Sequence, residues 1–225
     1  FLFMPETIFG LPGAVFLLWL SSAFYIVSLA IFWGPFRRER TELMAAFFAF
    51  LSGMAFFHIF LGLGFYLSNI LFIHIGAFAA LTGAAYTMKF PLTSLGESER
   101  KFGFYFVLSL AWSIIVWMLL FTHQTPTMLF LVLGYMIVFT GGSGLFIIWR
   151  GLAAKESSLK IKGVGGGVGL ITCCLVADLF VLFAGVSILG EVLMSLAPVI
   201  LILAVFFGRY VQKKQEKVFP AAAAA

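Results

Sequence analysis

Charge is scarce in this chain: Lys, Arg, Asp and Glu together make up 10% of its 225 residues, against roughly 25% in ordinary soluble domains. Cysteine is nearly absent, and the two present, Cys173 and Cys174, are adjacent. That placement excludes a disulfide framework and a Cys-x-x-Cys redox or zinc pair, and the two read as small buried apolar residues. The basic residues are too few and too dispersed for a nucleic-acid-binding surface, despite an isoelectric point near 9.4. Low-hydrophobicity stretches, the mark of disorder, are missing as well.

What fills the chain instead is apolar side chain, 63% by count, with a mean hydropathy of +1.13. A soluble fold of this length has too much surface relative to its volume to hide so much of it. Lipid is the solvent that fits. A hydrocarbon core about 30 Å thick needs roughly 20 apolar residues of α-helix to cross it, and the sequence offers seven such runs. They cover about Ile8–Trp33, Leu43–Gly64, Ile70–Phe90, Phe102–Phe121, Met128–Trp149, Val164–Leu189 and the stretch after Gly190-Glu191 as far as Gly208-Arg209. Polar breaks separate them at Gly34-Pro35, Ser68-Asn69, Pro91–Lys101, His123–Thr127, Arg150–Lys162 and Gly190-Glu191. The expected fold is an all-α bundle of seven transmembrane helices, one domain over residues 1–212. Residues 213–225 form a short basic tail ending in alanines, which are set apart from the fold.

The sparse charges give that count a direction. With seven crossings, all fourteen Lys and Arg fall on one face, from Arg37 and Arg38 through Arg150 and Lys162 to Lys217. The positive-inside rule makes this face cytoplasmic, so the N-terminus lies outside and the C-terminus inside a cell membrane. The basic face is expected to meet anionic headgroups, and the segment from Arg209 to Lys217 is an alternative docking surface for a partner. Glu6 and Glu191 fall on the outer side, and Asp178 falls within a span.

Several seven-helix functions are excluded by missing residues. The last run, Val192–Phe207, holds no lysine for a retinal Schiff base. The inner end of the third, Ala84-Ala85-Tyr86-Thr87-Met88-Lys89, carries no G-protein-receptor motif. A three-plus-one-plus-three layout fits the plan of small parallel-repeat transporters, although their Pro-Gln signature is missing. The glycine-rich run Gly163-Val164-Gly165-Gly166-Gly167-Val168-Gly169 lacks the Gly-Lys-Ser/Thr ending of a phosphate loop and opens a span. Its pairs Gly163/Gly167 and Gly165/Gly169 are instead spaced to let other helices approach closely.

Chemistry is confined to a few buried polar residues. A turn centred near Tyr66 puts His58 and His74 eight residues away on either side, at one depth in adjacent antiparallel helices. Two imidazoles at one depth suit axial ligation of haem b or a pigment, or a copper site to which Met54, one turn before His58, would add a thioether. His123 lies at the outer end of the fourth run. Structural histidines hydrogen-bonded between helices fit the same spacing. Asp178, counted back from a turn at Gly190-Glu191, lies roughly 18 Å deep. There it is expected to be neutral, paired or in a wet cavity, either as a proton carrier or as a structural acid. No catalytic residue is assigned. The reading that follows is a membrane subunit of a larger complex of the respiratory, photosynthetic or oxidase kind, contributing packing and holding a cofactor. The alternatives are a small-solute or proton-coupled transporter using Asp178 and Pro198, and a membrane oxidoreductase using His58 and His74.

Overall fold

The computed structural model describes residues 7–8, 10–39, 42–94, 99–121, 134–135, 137–182 and 188–218. Nearly all of these are helical. A two-residue antiparallel hairpin comes first, Thr7–Ile8 (β1) against Leu11–Pro12 (β2), pairing Thr7 with Pro12 and Ile8 with Leu11. Gly10 makes its turn at φ +79°, a conformation that only glycine adopts freely. The first apolar run therefore becomes helical at Gly13 rather than at Ile8, just past a proline with no N–H to give.

Helix α1 spans Gly13–Glu39 and α2 spans Glu42–Tyr66. Proline at position 35, expected to stop α1, forfeits one ladder bond near the helix end, and the helix runs on to its basic terminus. Helix α3, Ile70–Thr87, follows a tight turn in which Asn69 caps the helix by accepting from the Leu71 N–H at 2.9 Å. Ser68 takes a left-handed φ of +50° in that turn. Helix α4, Lys89–Ser94, occupies the start of the expected polar loop. Pro91 sits in its first turn, where the missing N–H has no intrahelical partner to lose. Helix α5 runs Glu99–Phe121. A π-helical turn at Ile137–Gly141 leads into α6, Gly142–Ala153, and then come α7, Ser157–Leu182, and α8, Ile188–Val218.

Among the described residues, three stretches are long and apolar enough to cross a membrane: Gly13–Gly34, Met44–Tyr66 and Ile70–Leu92. Large apolar side chains face outward on them and on later helices, among them Val27, Phe56, Phe78, Val107, Leu145 and Phe206. Inside, Tyr25, Phe32, Phe50, Leu51, Met54, Leu81, Leu170 and Leu201 form one buried cluster drawn from α1, α2, α3, α7 and α8.

Small residues set how closely the helices approach. A Cβ on Gly53 would stand 2.8 Å from the Gly83 α-carbon, so α2 and α3 touch backbone to backbone. Helix α7 uses its glycines for close approach on two sides. Gly163 and Gly167 lie on one face, where a Cβ on Gly163 would come 2.6 Å from the Gly151 α-carbon and one on Gly167 would meet the Gly144 carbonyl oxygen. Gly165 and Gly169 lie about 200° around the helix, at 100° per residue. There they meet Ala204 and Leu201 of α8. The glycine run is thus two interleaved contact faces, one for each neighbour.

The pairing of Lys162 with Gly208, Gly165 with Ala204 and Gly169 with Leu201 makes α7 and α8 antiparallel. Gly190 and Glu191, read from sequence as the turn between them, belong instead to the first turn of α8. Both are accommodated there because the first N–H groups of a helix have no intrahelical partner to lose.

Substituting Gly163 or Gly167 by Leu is expected to overpack the α6–α7 contact and destabilise the bundle by about 1–3 kcal/mol. Gly166, whose Cβ would meet nothing within 4 Å, is the control: Gly166→Ala should be neutral or stabilising by up to about 1 kcal/mol. Thermal unfolding in detergent distinguishes the two outcomes, and equal effects at all three positions would contradict the contact.

Candidate functional site

His58 is held from two directions. Its Nδ1 lies 2.6 Å from the Met54 carbonyl oxygen, one turn back in α2. A carbonyl only accepts, so Nδ1 carries the proton and Nε2 presents the lone pair. The ring stacks on Tyr25 of α1 at 5.4 Å and 22°, and meets Phe57 edge-on at 5.0 Å. It is fully buried, and Nε2 has no hydrogen-bond partner among the described residues. Close by, the Ser22 hydroxyl donates to the Ala55 carbonyl at 3.2 Å, a polar tie between α1 and α2.

His74 is turned elsewhere. It is buried in α3 and lines a cavity of about 300 Å³ together with Ile75, Phe78 and Ile114 of α5. The two histidines also differ in depth. His58 lies eight residues before the end of α2 at Tyr66, and His74 only four after the start of α3 at Ile70. His74 is therefore about 6 Å, one helical turn, nearer the connection. The equal depth expected from sequence came from centring the turn at Tyr66, whereas α2 extends through that residue and the chain turns at Leu67–Asn69.

This arrangement does not present the histidines as a ligand pair. His58 faces α1 and His74 faces α5. Met54 engages His58 through its backbone carbonyl, while its side chain packs in the core cluster. Among the described residues no three His, Cys, Asp or Glu side chains converge as a metal group would require. Haem, pigment and copper thus find no shared seat between these two rings. His123 lies outside the described residues. Asp178 belongs to α7, Ser157–Leu182. Its side chain and that of Glu191, three residues into α8, are outside the described set.

Sequence reading passed over a second feature. At the end of the bundle that carries Arg37, Arg150 and Lys162, six helices enclose a cavity of about 340 Å³. Its walls are apolar, including Phe32, Phe47, Leu170 and Leu201, and the charged residues lining it are Arg150 and Lys162. Gly166 leaves part of this space open, since a Cβ there would meet nothing within 4 Å. The signal in the sequence was a basic residue directly preceding a glycine in each of two neighbouring helices, Arg150-Gly151 and Lys162-Gly163. Among the polar groups nearby, the Thr87 hydroxyl lies 2.6 Å from the Ala84 carbonyl and 3.1 Å from that of Phe139. The second contact reaches a carbonyl within the π-helical turn, where the regular ladder is interrupted.

Comparison with known proteins yields no match: no family model, curated protein or solved structure matches the chain.

If His58 serves mainly as an aromatic wedge between α1 and α2, shape matters more than its nitrogens. His58→Phe keeps the ring and removes a buried unsatisfied acceptor, so the loss of the Met54 bond is offset and stability should change by less than about 1 kcal/mol. His58→Ala should lose about 2–5 kcal/mol through the cavity that it leaves. Equal destabilisation by both, measured by thermal unfolding, would contradict the wedge role.

Proposed function

We propose that the chain is a seven-span subunit of a larger assembly in the cell membrane, with its N-terminus outside and its C-terminus in the cytoplasm. The observation that carries this reading is the distribution of apolar surface. Among the described residues, helix α5 packs chiefly against α3 and leaves Phe104, Val107, Leu108, Ile114, Ile115 and Met118 exposed. Contiguous apolar surface on such a scale marks contact with lipid or with other apolar protein. A helix with such an apolar outer face is a natural place for a further membrane subunit to pack. The segregation of all fourteen Lys and Arg to one side supports the orientation, and that side is where anionic headgroups are met. In this reading the buried histidines and the paired glycines build the packed interior, and the work of the subunit lies in what it packs against.

Single cysteines in a Cys173→Ala/Cys174→Ala background test the topology. Lys155→Cys and Lys214→Cys should react with an impermeant thiol reagent only after the membrane is opened, whereas Thr125→Cys should react in intact cells. Labelling of Lys155→Cys from outside would overturn the orientation. A photo-crosslinking residue at Val107 or Ile114 should join the chain to a distinct membrane protein of fixed stoichiometry, and crosslinks to lipid alone would overturn the subunit reading.

A further inference from the structure

We infer that the 340 Å³ cavity at the basic end of the bundle is a binding site for an anionic phospholipid, which inserts one acyl chain among apolar walls and sets its phosphate between Arg150 and Lys162. The inference rests on the proposed orientation, which makes this end the cytoplasmic leaflet.

The helix crossing itself determines the charge placement. Gly151 and Gly163 touch backbone to backbone, with a Gly163 Cβ only 2.6 Å from the Gly151 α-carbon. Arg150 and Lys162 are the residues immediately before these two glycines, so the contact brings two cations to one level on adjacent helices. Both line the same cavity. Like charges held together repel, and an anion between them turns that repulsion into two attractions. Arg150 is exposed at the end of α6 and makes no ion pair with a described residue. The nearby acid Glu156 is engaged by the Ser158 hydroxyl. Lys162 lays its aliphatic stem along Gly208 of α8, the posture of a lysine whose carbons stay in apolar surroundings while its charge reaches a polar boundary.

The interior supplies the other half of the recognition. Phe32, Phe47, Leu170 and Leu201 offer no hydrogen-bonding side-chain group, and walls of this kind accept hydrocarbon. Its volume is at the small end for ligand sites, which suits one chain of a lipid whose second chain stays in the bilayer. Basic pockets between membrane helices on the cytoplasmic side are a known place for anionic headgroups. Apolar depth with paired cations selects an anionic amphiphile over a neutral lipid or a free phosphate.

Native mass spectrometry of the purified full chain, titrated in detergent with phosphatidylglycerol or phosphatidylcholine, tests the site. One phosphatidylglycerol should be retained preferentially. Arg150→Gln/Lys162→Gln should weaken that binding about tenfold or more, and Lys214→Gln, a cation outside the cavity, should not. Gly166→Leu fills the space without altering charge and should displace the lipid as well, so a misfolded charge variant would not leave the question open. Equal retention of the two lipids, survival of binding in Gly166→Leu, or binding of free oleate or phosphate but not of phosphatidylglycerol would each overturn the proposal. The measurement is made without a membrane, so its failure is distinct from a failure of the topology, which thiol labelling reads separately.

Discussion

Backbone-to-backbone contact at glycine is the constraint from which the rest of this structure follows. In hydrocarbon there is no hydrophobic drive to press helices together, because lipid tails are as apolar as the side chains themselves. Cohesion then depends on dispersion contacts, which fall off steeply with distance. Gly53 against Gly83, and Gly151 and Gly144 against Gly163 and Gly167, bring helix axes closer than any side chain would permit. Once α7 is clamped between α6 and α8 by its two glycine faces, the positions of Leu170, Leu201 and Phe32 in the core follow from helix geometry.

The same contacts also create empty space. Where two helices touch at glycine, flanking side chains must splay, and positions without side chains leave volume on the far side. Gly166 faces open space while its neighbours Gly165 and Gly167 are in tight contact. Close packing at one level and a 340 Å³ cavity beside it are therefore two consequences of one sequence feature. Arg150 and Lys162 come to one cavity only through that crossing, since eleven residues, a loop among them, separate the two in sequence.

The histidines illustrate a different balance. A buried imidazole is expensive unless its polar atoms are satisfied. His58 meets half of that requirement with the Met54 carbonyl and offsets some of the rest by stacking on Tyr25. Its tautomer follows from an acceptor in its own helix. His74 solves its placement on another face, against α5. Spacing along the chain located both near one turn, but the direction of a side chain around a helix changes by 100° per residue. A two-residue error in the turn centre shifts both the depth and the facing of each ring, and that is what separated the expected pair.

Composition and periodicity determined that this chain is helical and apolar enough for lipid, because hydropathy and length are local properties that need no knowledge of neighbours. The polar break at Ser68-Asn69 and the close-packing potential of Gly163 to Gly169 were legible for the same reason. The first helical residue at Gly13, the passage of α1 through Pro35 and of α4 through Pro91, and the inclusion of Gly190-Glu191 in α8 were not. Each depends on whether a lost backbone bond falls where the ladder would have used it. Only the tertiary structure decided which residues share a site. It turned His58 to Tyr25 and His74 to α5, and it brought Arg150 and Lys162 to one cavity, because a helix crossing is set by three-dimensional fit between faces that lie far apart in sequence.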